Sequence, residues 1–79
     1  MNRVRVQLHV MKLLPHETKT ELVRVSSPAS GLHLASNRIA LKVQVLRVRF
    51  VESEQALEVT IENTTNEELQ VPLAVQVRP

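Results

Sequence analysis

Apolar residues return at every second position along most of this chain, and no run longer than a turn follows the three- and four-residue spacing of an amphipathic helix. A period of two is the period of a strand with one buried face. Val4, Val6, Leu8 and Val10 alternate with Arg3, Arg5, Gln7 and His9. Leu57, Val59 and Ile61 alternate with Glu58, Thr60 and Glu62, and Leu69, Val71, Leu73, Val75 and Val77 form a third such series. Thirteen valines against one glycine and one aromatic residue, Phe50, fit strands better than helices.

The pattern predicts six strands. Residues 3–13 read as a half-buried strand with Val4, Val6, Leu8 and Val10 inward, ended by Pro15. A second strand covers 21–26, where the adjacent Leu22 and Val23 blur the alternation. The loop Ser26-Ser27-Pro28-Ala29-Ser30-Gly31 leads to a short strand at 32–35, and Ser36-Asn37-Arg38 connects to the longest apolar run, 39–51. That run changes phase: Ile39, Leu41, Val43 and Val45 are odd, whereas Leu46, Val48 and Phe50 are even. A two-residue period reverses only through an extra residue, so a β-bulge or bend is expected near 45–46.

After a turn at 52–55, the strand at 57–62 is expected to form a hairpin, across the loop 63–68, with the strand at 69–77. Pro72 lacks an N–H for the ladder, which marks the last strand as an edge. The expected fold is all-β: a small six-stranded antiparallel β-sandwich or open barrel, with residues 1–79 as one domain.

The net charge of +2 hides a split. Residues 1–50 hold nine Lys/Arg and two Glu (+7), and residues 51–79 hold one Arg and six Glu (−5). One reading is a basic face for an anion. The other is neutralisation between neighbouring strands: an antiparallel hairpin of 46–51 with 56–62 sets Phe50 opposite Leu57, Val48 opposite Val59 and Arg49 opposite Glu58. Apolar then meets apolar and basic meets acidic in a single register, and this favours neutralisation.

Little here has the form of a reactive site. With no cysteine there is no disulfide, thiolate metal site or cysteine nucleophile. His9, His16 and His33 are not at metal-ligand spacing, and a zinc site would need two of them brought together with a group such as Glu17. The chain has no aspartate, so a Ser-His-Asp triad is impossible, and Ser27 or Ser30 would need a glutamate variant. A single glycine excludes the loops that cradle phosphates. Asn63-Thr64-Thr65 has the form of a glycosylation acceptor but also of an ordinary turn. No catalytic, cofactor-binding or metal-binding residues are assigned.

The expectation is therefore a non-enzymatic interaction or structural module. A chain this short has a thin core, which favours assembly through sheet edges, with itself as a homodimer or higher assembly or with another protein, and with Val4, Val6, Leu8 and Pro72 as edge-strand contacts. The alternative is a binder of anionic ligands, nucleic acid or phosphorylated metabolites, through Arg3, Arg5, Arg38 and Lys42. With one aromatic residue the chain lacks a stacking platform for bases, so any nucleic-acid contact would be to the backbone alone. No stretch approaches the length of an apolar membrane span, and a cytoplasmic location is expected.

Overall fold

A computed structural model describes residues 5–26, 28–35 and 42–79. Six strands run in the order β1 (Arg5–Leu13), β2 (Thr18–Arg24), β3 (Gly31–Ala35), β4 (Val43–Val51), β5 (Ala56–Asn63) and β6 (Leu69–Arg78), with a 3-10 turn at Glu52–Glu54. They form two three-stranded sheets, ordered β1-β6-β3 and β2-β5-β4, in which every pairing is antiparallel. Among the described residues no helix is long and apolar enough to cross a membrane.

The core lies between the two central strands. β5 contributes Leu57, Val59 and Ile61, β6 contributes Val71, Leu73, Val75 and Val77, and Met11, Leu13, Val23, Leu32 and Val43 pack around them. β5 and β6 thus stack across the core, each in its own sheet. The expected hairpin between them is not formed, and the loop at 64–68 is a crossover from one sheet to the other. The physical reason is that both strands carry a continuous buried face. Stacking these faces removes both from water, whereas pairing them edge to edge in one sheet leaves that sheet to be covered by the shorter strands.

The β4–β5 hairpin has the register expected from charge and apolarity. Phe50 stands opposite Leu57, Val48 opposite Val59 and Arg49 opposite Glu58, and the register slips between Val45 and Arg47. Leu46 is the extra residue that lets Val43 and Val48 share one face. Arg49 Nη2 lies 3.4 Å from Glu58 Oε2, and Arg47 Nε lies 3.9 Å from Glu58 Oε1.

Pro72 requires a correction. β6 is the central strand of its sheet, with Pro72 paired opposite Val10 of β1, and so is not an edge strand. The proline is tolerated where its nitrogen has no ladder partner to donate to. The ladder of β3 with β6 runs from Gly31↔Arg78 to Ala35↔Ala74 and, among the described residues, stops before Pro72. A nitrogen without a proton fits on the side of β6 away from β1, where no described residue pairs with it.

Two polar side chains hold the loops. Asn63 is fully buried at the end of β5; its Nδ2 donates to the carbonyls of Leu14 (3.0 Å) and Glu67 (2.7 Å), and its Oδ1 accepts from the Thr65 amide (2.9 Å). Gln55 takes a left-handed conformation (φ 49°) after the 3-10 turn, and its Oε1 accepts the Ala29 amide at 2.6 Å. It ties the β2–β3 loop to the β4–β5 turn.

Candidate interaction surface

β1 is an edge strand, and its orientation is the reverse of that expected. Met11 and Leu13 are fully buried, so the odd positions face the core and the even positions face out. Val6, Leu8 and Val10 are consequently 57%, 74% and 58% exposed. The cause is a conflict within the strand. Its N-terminal half is apolar at even positions, its C-terminal half at Met11 and Leu13, and the pairing with β6 runs without a slip from Arg5↔Val77 to Leu13↔Leu69. An unbulged strand has one inner face, and Met11 and Leu13 take it.

The inner face of the N-terminal half is therefore polar, and it meets polar groups of β2. Gln7 Nε2 donates to the Arg24 carbonyl at 2.8 Å. His9 Nε2 is hydrogen-bonded to Glu21 Oε2, and Lys19 Nζ donates to the Lys12 carbonyl at 2.8 Å. These three rungs form a polar seam between β1 and β2, where sequence reasoning placed Gln7 and His9 on an outward, solvated face.

The direction of the main-chain groups of β1 follows from Pro72. In an antiparallel pair, directly opposed residues either exchange both N–H···O=C bonds or neither, in alternation. Pro72 has nothing to donate, so Val10↔Pro72 is a pair that exchanges neither, and the same holds for Leu8↔Ala74 and Val6↔Gln76. The N–H and C=O groups of Val6, Leu8, Val10 and Lys12 then point away from β6, toward the free edge. Two contacts agree: the Lys12 carbonyl is reached by Lys19 from outside the sheet, and on the other side of β6 the Arg78 carbonyl accepts the Ser30 amide at 2.8 Å. The residues with exposed apolar side chains thus also present their main-chain donors and acceptors to the edge. On the outer face, Ala74 and Pro72 of β6 extend the apolar stripe beside Leu8 and Val10.

Of the other residues singled out from sequence, Arg3, Val4 and Arg38 lie outside the described residues, as do Ser27, Ile39 and Leu41. Arg5 is exposed on β1, and Lys42 is exposed just before β4, in the other sheet and on the far side of β5 from β2. Arg5 and Lys42 therefore sit on different sheets, and their placement draws no anion-binding cluster. Arg24, Arg47 and Arg49 are each within ion-pair distance of Glu54 or Glu58. His16 bonds Asn66 Oδ1, and His33 lies exposed on β3. Among the described residues no three His or Glu side chains come together to hold a metal ion.

The fold and surface define a class, a small all-β protein of two antiparallel sheets with an apolar edge strand. Comparison with family models, curated proteins and solved structures yields no match.

Proposed function

We propose that this protein is a non-enzymatic interaction module that associates with itself through β1. One observation carries the reading: three apolar side chains, Val6, Leu8 and Val10, stand more than half exposed in a row on an edge strand. Single exposed apolar residues are ordinary, but a contiguous row on an unpaired edge invites a second chain. Fully burying a valine or leucine contributes roughly 1.5–3 kcal/mol, so covering half or more of each of these three is worth several kcal/mol before the cost of association. The cytoplasmic location suggested by the lack of cysteine belongs to the same proposal.

The test is the solution mass by light scattering, with refractive-index detection because the chain has neither Trp nor Tyr. The reading expects a mass above that of one chain which falls on dilution, and a Leu8→Lys variant that is folded and monomeric. A wild-type protein that stays monomeric at every concentration overturns it.

A further inference from the structure

The self-association just proposed leaves open how two copies meet, and the edge of β1 answers this. We propose that two copies pair β1 against β1 in antiparallel fashion about a two-fold axis at Leu8, joining their three-stranded sheets into one six-stranded sheet.

Three observations select this arrangement. The first is parity. Hydrogen bonding across an edge requires residues whose N–H and C=O point outward, and in β1 Pro72 fixes these as the even ones, Val6, Leu8 and Val10. The second is self-complementarity. A two-fold at Leu8 sets Val6 opposite Val10 of the partner copy, Leu8 opposite its own equivalent, and Val10 opposite Val6. No other two-fold register maps these three residues onto themselves, and an isologous contact needs such a match. The third is charge. The register sets Arg5 opposite Met11, so neither Arg5 nor Lys12 meets its own equivalent; like charges directly opposite would be destabilising.

The limit of the contact is also visible. Beyond Val10 the next outward carbonyl, that of Lys12, is already taken by Lys19 Nζ. A charged side chain covers the edge where the apolar stripe ends, and among the described residues no strand pairs with it along Val6 to Val10. The partner is thus a second copy of this chain whose stripe continues the first across the axis. Gln7 and His9 keep their bonds to Arg24 and Glu21 within each copy, because they face inward.

Cysteine substitution tests the register directly, since the chain has no cysteine of its own and any disulfide must join two copies. In a doubly bonded antiparallel pair the Cα atoms are about 5.5 Å apart, within the ~4.4–6.8 Å that a disulfide spans. Leu8→Cys should therefore form a disulfide-linked dimer when oxidised with diamide. Lys12→Cys is the control on the same face: the two positions 12 lie about 26 Å apart at ~3.3 Å per residue, and it should stay unlinked. Val6→Cys and Val10→Cys should cross-link to each other when mixed. Both Leu8 and Lys12 are exposed, so neither substitution disturbs the core.

Light scattering on the same samples separates the outcomes. A dimer whose Leu8→Cys variant cross-links and whose Lys12→Cys variant does not supports the proposal. A dimer in which Leu8→Cys fails to cross-link, or Lys12→Cys links as readily, overturns this geometry and leaves self-association standing. A monomer throughout overturns both.

Discussion

Replacing Asn63 by alanine tests how the loops at one end of the fold are held. Asn63 is fully buried and satisfies three main-chain groups from two different loops: the carbonyls of Leu14 and Glu67 and the amide of Thr65. The Thr65 hydroxyl also donates to Asn63 Oδ1 at 2.8 Å, but it has a second acceptor in the Glu67 carbonyl at 3.2 Å, so its loss counts for less. Three hydrogen bonds to main-chain groups are thus lost, the Leu14 carbonyl keeping the Glu17 amide and the Glu67 carbonyl the Thr65 hydroxyl, and at about 1 kcal/mol for each bond the total is about 3 kcal/mol. For a domain of this size each kcal/mol shifts Tm by roughly 4–8 °C, so a fall of roughly 12–24 °C is expected. Asn63→Asp should be at least as harmful, because it keeps the acceptor but turns a carboxylate toward two carbonyl oxygens. Thermal and urea unfolding followed by far-UV circular dichroism, at one fixed protein concentration, measures both. An Asn63→Ala variant within about 0.5 kcal/mol of wild type, the range of an ordinary surface change, would refute the reasoning.

The remaining predictions concern the hairpin and the ladder. Deleting Leu46 removes the bulge; the turn at 52–55 holds Val48 and Phe50 in place, so Val43 turns out of the core and stability falls by about 1.5–3 kcal/mol in urea unfolding. Glu58→Gln should cost less than about 1 kcal/mol, and the difference from wild type should shrink in high salt, because its arginine partners are largely exposed. Gln7→Pro removes an amide that bonds across to Val75, strands that carbonyl and should destabilise the fold by roughly 1–3 kcal/mol, read from the same unfolding curves.

How much of this was legible from sequence depends on how many constraints each strand carried. The β4–β5 register was readable because three pairs, Phe50 with Leu57, Val48 with Val59 and Arg49 with Glu58, agree on one alignment, and the phase change at 45–46 has one simple cause. β1 was misread because it holds two apolar sets in opposite phase. Which set faces the core is decided by packing on the other sheet, and Val6, Leu8 and Val10 outnumber the Met11 and Leu13 that win. The adjacency of Val10 and Met11 in the absence of any bulge signal was the available warning.

Pro72 was misread for a related reason. Its missing N–H was recognised, but no local pattern announces that β6 lies between β1 and β3, nor that among the described residues the β3 ladder ends at Ala35↔Ala74, short of Pro72. The hairpin expected between 57–62 and 69–77 failed because alternation reveals a buried face without saying whether a neighbour lies beside it or across the core. The polar seam of Gln7, His9, Lys19 and Glu21 was missed because each residue alone resembles a solvated strand face, and only the stacking of β1 on β2 brings them together.

The central claim is that the outward edge of β1 joins two copies, and one substitution bears on it directly. Val6 points its N–H to the free edge, so Val6→Pro leaves the β1–β6 ladder intact, as Pro72 does in the facing strand, while removing a donor from the intermolecular edge. Light scattering of wild type and Val6→Pro across a dilution series is the measurement. The account predicts a wild-type dimer and a Val6→Pro monomer with an unchanged circular dichroism spectrum; a Val6→Pro variant that keeps the wild-type mass, or a wild type that is monomeric throughout, would contradict it.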